Sequence, residues 1–305
     1  MTEANGNFSH SGRKSNVAVR FEAAPRPPHR LLTGPACCYV KIAGANQKSG
    51  KRRVSAQGWE FVEDSSGAGN ELTFEVWRGG DDGHFATYTV PHQDKQTVLD
   101  AVTYIQRRLD PSLSYRFACR IGMCGSCAMM VNGAPRWTCR TNAARIAKDR
   151  KIRLAPLRNL PVVKDLVTDM TVFFEKWQKA SGTFVPSDPG AAEFASVPPE
   201  SKERKAASAG IECIGCGVCY AACDVVKWNP DYLGPAQLNR AWTLVNDVRD
   251  ADRKGHLAAV AVDAGCHACH SHQNCTTYCP KGLNPTESIA GLKRATVSAA
   301  LKGDL

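Results

Sequence analysis

Thiolates that must converge on one inorganic group leave a chain little freedom, and cysteine spacing is what most constrains this one. Eight of its fourteen cysteines lie between Cys213 and Pro280, in two clumps. The first, Cys213, Cys216, Cys219 and Cys223, reads C-x2-C-x2-C-x3-C; the second is Cys266, Cys269, Cys275 and Cys279, followed by Pro280. Such a run is the sequence form of cubane iron–sulfur ligation, in which three close thiolates hold one cluster and the fourth reaches across to another. A third group, Cys119, Cys124, Cys127 and Cys139, reads C-x4-C-x2-C plus a distant Cys, the plant-type [2Fe–2S] spacing. Ligand sharing assigns Cys213, Cys216, Cys219 and Cys279 to one cubane, and Cys223, Cys269 and Cys275 to a second site. A complete second run would place a cysteine at 272, where this chain has His272. With three thiolates the second cluster becomes [3Fe–4S], unless His272 or Cys266 supplies a fourth ligand. Three iron–sulfur groups in one chain imply an electron wire.

Bulk properties agree. A chain of 305 residues, 22% charged and 43% hydrophobic, is globular in composition and needs no disulfides to fold, so the tight spacings point to metal in a reducing compartment. Structural zinc would need separate four-ligand tetrahedral sites, which a shared run with a missing cysteine does not provide. No stretch approaches 18 consecutive apolar residues, so no membrane span is expected, and the first thirty residues lack the apolar centre of a secretory signal. The net charge of +10 is concentrated in residues 1–59, which carry a surplus of eight positive charges and leave +2 for the rest. Such a leader suits an acidic lipid surface or acidic partner better than nucleic acid, which wants a basic patch on a folded module. An organellar transit segment and a solvated tail are the other readings. Cys37 and Cys38 are neighbours whose side chains diverge in an extended chain, and they read as ordinary thiols.

Residues 1–69 read as a basic, largely irregular extension, with LLTGPACCYVKIAG as a short strand. From Leu72 the pattern sharpens: LTFEVWRG alternates, a glycine- and aspartate-rich turn follows, and HFATYTV returns as a second strand. VLDAVTYIQRRL has helical spacing up to Pro111. In the cysteine loop that follows, Gly122 and Gly125 relieve the backbone where it curls around a cluster, and curled N–H groups aim at the sulfurs. The Asn132-Gly133 turn predicts a hairpin that returns Cys139 to the loop, with Met129 and Met130 as core. IRLAPL supplies a closing strand, and the boundary falls near Pro161. VVKDLVTDMTVFFEKWQKA predicts a helix from Val163, residues 182–208 a long Pro- and Ser-rich connection, and the remainder short helices joined by cysteine loops. The expected fold is α+β: a β-grasp plant-type ferredoxin domain over 70–160, then an all-α bacterial-type two-cluster ferredoxin domain over 161–305.

The segments YRFACRIGMCGSCAMMVNG, CIGCGVCYAAC, WNPDYLGPAQLNRA and NCTTYCPKGLNP together resemble the iron–sulfur subunit of succinate dehydrogenase and of fumarate reductase. The likeness runs from about Leu72 to Arg294 and includes all eleven expected ligands in order. It implies an electron-transfer subunit that links the FAD of a flavoprotein partner, where succinate and fumarate interconvert, through [2Fe–2S], [4Fe–4S] and [3Fe–4S] clusters to a quinone beside a membrane anchor. It also implies that Trp228 and His270 stand on the quinone side, that no residue here acts on the dicarboxylate, and that the chain is peripheral on the cytoplasmic face of the inner or plasma membrane, or on the matrix side in a mitochondrion. The other reading is an iron–sulfur adaptor for a different soluble or peripheral flavin dehydrogenase. Three positions depart from the family: Asp224 stands where it generally has Pro, Ile121 where an acid is common, and His272 with Cys266 surrounds the corner that lacks a cysteine.

Overall fold

The computed structural model of the protein describes residues 54–55, 58–59, 70–188, 190 and 193–305. The strand expected around Cys37 and Cys38, and most of the basic leader, lie outside the described residues. The chain divides into a unit that ends at Glu63 and a unit from Asp64 to Leu305. In the first, β1 (Val54–Ser55) pairs antiparallel with β2 (Gly58–Trp59).

The second unit begins with the predicted hairpin, β3 (Glu71–Arg78) and β4 (His84–Pro91). Alternation in β3 turns Leu72, Phe74 and Val76 into the core, as a pleated strand with one buried face requires. Helix α1 (Val98–Tyr104) starts from a capping box: the Thr97 hydroxyl accepts from Asp100 N at 3.2 Å and the Asp100 carboxylate accepts from Thr97 N at 3.0 Å, so two otherwise orphaned donors are satisfied. A wider π-turn, Ile105–Leu109, extends it to Asp110, immediately before Pro111. After the cysteine loop come β5 (Ala128–Val131) and β6 (Ala134–Trp137), joined through Asn132 and Gly133 at φ 49° and 80°, the left-handed pair of a tight hairpin. A short α2 (Ala143–Ile146) leads to β7 (Lys151–Ala155). Sheet order is β4-β3-β7-β5-β6, with β3 and β7 parallel and the other pairs antiparallel. Strand β5 is buried on both faces: Met129 and Val131 join the core under α1, while Ala128 and Met130 join the core shared with the helices that follow.

The helix predicted from Val163 begins later. Residues 162–168 form a two-stranded turn instead, β8 (Val162–Lys164) and β9 (Val167–Thr168), with Asp165 at φ 52° between them. A left-handed residue cannot sit inside an α-helix. Asp165 is held there because its carboxylate accepts from Arg78 Nε at 3.1 Å, Gly79 N at 2.8 Å and Ser114 N at 2.8 Å. The helix itself, α3 (Thr171–Lys179), buries Phe173 and Lys176. The Lys176 amine donates to the Tyr220 hydroxyl at 3.0 Å, the Tyr232 carbonyl at 2.8 Å and the Pro230 carbonyl. The long connection is also shorter than predicted, because α4 (Lys202–Ile211) starts from a Ser201 cap whose hydroxyl accepts from Arg204 N.

Then follow α5 (Val218–Ala222), α6 (Asp224–Trp228), α7 (Pro235–Val245), α8 (Arg253–Val260), α9 (Asn274–Thr277) and α10 (Pro285–Leu301). Helix α7 is the centre, packed by α3, α4, α5, α8 and α10. Pro235 and Pro285 open their helices at positions where the missing N–H costs nothing. His256, fully buried at the start of α8, bridges Ser181 Oγ at 3.0 Å and Asp250 Oδ1 at 2.9 Å, which fastens the segment after α3 to α8. Among the described residues no helix is long and apolar enough to cross a membrane.

Candidate metal centres

The first centre is the loop between α1 and β5. Arg120, Gly122 and Gly125 have φ of 58°, 74° and 71°, so the chain curls back on itself and aims amides inward. Cys119 Sγ accepts from Met123 N at 3.2 Å and Cys124 N at 3.3 Å, and Cys124 Sγ accepts from Cys119 N at 3.5 Å. Those amides pull the Cys119 thiol down to about 6. At the opposite end, burial together with neighbouring Cys127 pushes Cys139 up to about 11. Cys139 arrives through the β5–β6 hairpin, pinned by Thr138 Oγ1 donating to the Cys127 carbonyl at 2.9 Å. The four predicted thiols thus form one connected group, exposed at Cys124 and buried at Cys127 and Cys139. Around the exposed end stand Ile121 and Met123, more than half exposed, with Phe117 beneath Arg120 in a cation–π contact.

Two cavities occupy the helical part. One is lined by Cys213, Cys216, Cys219 and Cys279, with Pro280 and Leu283 beside them. The other is lined by Cys223, Cys269 and Cys275, together with Tyr232, Asp224 and His272. Each has a cavity volume of about 20 Å³, room for about one water. Burial raises the thiols of Cys213, Cys216, Cys219, Cys223 and Cys275, Cys219 most of all. Thiols so placed become thiolates when a bound metal supplies positive charge. Among the described residues no three or more Cys, His, Asp or Glu draw together as they would on a single ion. The thiols instead surround spaces, and an all-thiol donor set is what an iron–sulfur cluster takes.

Cys266 takes no part in lining either cavity. It is fully buried, with Sγ 3.9 Å from Thr296 Oγ1 on α10. His272 stands at the rim of the second cavity in a set of three rings: its centroid is 5.4 Å from Trp228, edge to face, and 6.0 Å from His270. Trp228 is 64% exposed. Asp224 opens α6 and accepts from Asn274 Nδ2 at 3.2 Å, so the acid that replaces the family's Pro ties α6 to α9.

Sequence reasoning missed two polar groups at these centres. Burial and contact with Cys269 push the Tyr232 phenol far up. The indole Nε1 of Trp137 is buried and has no hydrogen-bond partner among the described residues. Neither carries a spacing signal, although Trp137 stands two residues before Cys139.

A β-sheet module and a helical module, each with its own thiol set, define an iron–sulfur protein of ferredoxin type. Residues 73–175 match the family described as 2Fe-2S iron-sulfur cluster binding domain, and residues 212–284 match the 4Fe-4S dicluster domain. The iron-sulfur subunit of fumarate reductase from Mycobacterium tuberculosis is 38% identical over 221 residues, covering 72% of this chain and 88% of the relative. Iron-sulfur subunit 1 of mitochondrial succinate dehydrogenase [ubiquinone] from Oryza sativa is 34% identical over 280 residues, covering 90% and 96%. Among solved structures, a chain of the Mycobacterium smegmatis Sdh1 complex in the apo form aligns with a TM-score of 0.67 at 29% identity, covering 76% of this chain and 97% of that one. The chain therefore belongs to the family of succinate dehydrogenase and fumarate reductase iron–sulfur subunits, as an electron-carrying subunit that does not itself transform the dicarboxylate.

Proposed function

We propose that this chain conducts electrons between the FAD of a flavoprotein subunit and a membrane quinone through three clusters: [2Fe–2S] on Cys119, Cys124, Cys127 and Cys139; [4Fe–4S] on Cys213, Cys216, Cys219 and Cys279; and [3Fe–4S] on Cys223, Cys269 and Cys275. When bound, the clusters supply one-electron storage. The observation that carries this reading is the partition of seven cysteines four and three between neighbouring cavities, with Cys279 crossing to the first clump and Cys223 to the second as shared ligation demands. Cys266, turned toward α10, is the spare thiol.

The chain's own groups hold charge and place it. Met123 N and Cys124 N stabilise negative charge at Cys119. Gly125 lets the first loop press against Cys216, which brings the first two centres together. The exposed side chains of Ile121 and Met123 beside Cys124 form an apolar rim suited to a flavoprotein partner. Trp228, His270 and His272 form a second contact surface, where an indole N–H and two imidazoles offer donors to a quinone carbonyl and a path for its protons. A membrane-anchor subunit would complete that surface and hold the chain peripherally on the cytoplasmic or matrix side. The domain partition at about residue 160 follows the same division, with the β-sheet module toward the flavoprotein and the helical module toward the anchor.

The test is anaerobic purification of the complex, followed by electron paramagnetic resonance and iron and sulfide analysis. Separate [2Fe–2S], [4Fe–4S] and [3Fe–4S] signals, in fixed ratio to flavin and reducible by succinate, are expected. Zinc in place of iron, or purification with a flavoprotein that ignores succinate and fumarate, would overturn the proposal.

A further inference from the structure

The segment from Tyr220 to Tyr232 brings Cys223, Asp224 and Tyr232 to the wall of the second cavity and contains α6, which ends at Trp228. Two polar side chains from outside the segment hold it in place. One is Lys176 on α3, 6% exposed. Lysine is rarely this buried without a paired charge, yet the three bonds its amine donates go to uncharged acceptors, all on this segment: the Tyr220 hydroxyl at 3.0 Å, the Tyr232 carbonyl at 2.8 Å and the Pro230 carbonyl. Helix α3 is itself a fixed mount, with Phe173 fully buried and its carbonyl accepting from Gln237 Nε2 on α7 at 2.9 Å. The other is Asn159, in the connection between the two modules, whose Nδ2 donates to the Tyr220 carbonyl at 2.9 Å and the Cys223 carbonyl at 3.0 Å. Asn159 has φ 65°, a left-handed conformation that a residue other than glycine holds only at a cost. Filling space does not account for the pair, since an apolar side chain in place of Lys176 would pack there without desolvating a charge.

We infer that Lys176 and Asn159 are positioning residues for quinone reduction: they fix the 220–232 segment, and with it Trp228, against the second centre. The inference rests on the quinone-side reading proposed above. Trp228 is 64% exposed and its ring meets His272 edge to face, so no core packing sets its place. The backbone on either side must do so. Helix α6 is five residues long, too short to hold its own shape. Asn159 grips its N-cap carbonyl at Cys223, and Lys176 grips the loop at its other end through Pro230 and Tyr232. Within that loop Asn229 N donates to the Val225 carbonyl at 2.8 Å and Tyr232 N to the Asn229 carbonyl at 3.1 Å, which carries the hold back to α6. A hydrogen bond weakens steeply with misalignment, so a loosened segment weakens the bond that the indole offers a quinone carbonyl. Neither residue touches the quinone; both act through the segment.

The experiment measures succinate-dependent quinone reduction by the complete complex, with the two substrates varied separately, for the wild type, Lys176→Met and Asn159→Gly. Met fills the space of the lysine stem and removes the donors, while Gly suits the left-handed backbone and removes only the amide. Both variants should raise the KM for quinone up to about tenfold, the weight of one hydrogen bond, with the KM for succinate and all three paramagnetic signals unchanged. General loosening lowers the active fraction, and so kcat alone. An unchanged quinone KM in a variant with full iron content therefore overturns the assignment of that residue, and an equal rise in both KM values overturns the inference as a whole. If Lys176→Met does not load its clusters, Asn159→Gly decides by the same measure. Loss of the clusters in both variants also overturns the inference, since the two residues are then determinants of folding. A wild-type complex that reduces no quinone refutes the functional reading itself, a separate outcome.

Discussion

Gly125→Ala tests the contact on which the conduction path depends. Gly125 has φ +71°, a conformation that costs an L-residue ~1–2 kcal/mol. The new Cβ would also fall well inside van der Waals distance of Cys216 Cβ and 3.3 Å from Ile214 Cδ1. Relieving that overlap means shifting one loop against the other, an overpacking cost of ~1–3 kcal/mol. Against this, Ala restricts the unfolded chain and returns ~0.4–1 kcal/mol. The net expectation is a loss of about 2–4 kcal/mol. Gly133→Ala is the matched control, because Gly133 has φ +80° and nothing within 4 Å of the added Cβ. It bears the conformational cost alone, ~1 kcal/mol net. At ~2–4 °C per kcal/mol for a body of this size, Gly125→Ala should lower the apparent melting point of the loaded complex by roughly 4–16 °C. Gly133→Ala should lower it by roughly 2–4 °C. Both are read at one scan rate, because a cluster-bearing protein unfolds irreversibly. The cubane signal should broaden or disappear in Gly125→Ala while the [2Fe–2S] signal persists. Equal melting points and intact cubane signals in both variants would refute the close approach.

Cys266→Ala should retain all three cluster signals and cost about 1 kcal/mol, the transfer value of one buried methylene-sized group; loss of the [3Fe–4S] signal would make Cys266 a ligand. Lys176→Met should destabilise the helical module by about 2–3 kcal/mol in thermal unfolding, since the Tyr232 and Pro230 carbonyls lose their buried donor; a neutral or stabilising effect would count against that network. Asp110 is held well below the usual carboxylate range by the hydroxyls of Ser112 and Tyr88 and by the Arg78 guanidinium. Its folded pKa is depressed, so its contribution is complete above the unfolded value of ~4 and fades as pH falls through the lower folded value. Asp110→Asn should therefore cost about 1 kcal/mol at neutral pH, a modest figure for a carboxylate 26% exposed. The gap to the wild type should close below pH ~4, and a gap that stays constant with pH would refute the assignment.

The cysteine spacing suggested the cluster types expected here, and with ligand sharing it proposed eleven ligands while leaving His272 and Cys266 open at the second site. Such spacing is legible because ligation is local chemistry, in which a few residues on one curl must reach one centre. Hydrophobic alternation in β3 and the Asn132-Gly133 turn were legible for the same reason. The start of α3 was not, because Asp165 is held in a left-handed turn by Arg78, Gly79 and Ser114, partners remote in sequence; helical periodicity from Val163 carries no trace of them. The tertiary structure also decided that Cys266 turns to Thr296 and away from both cavities, although it stands in the same clump as Cys269. Above all it decided what lies at the seam. Gly125 meets Cys216 only because β5 is buried on both faces and its second face packs on the helical module. The sequence by itself proposes which atoms would bind the clusters; how near the centres lie, and which donors surround them, is set by packing between segments that no local pattern connects.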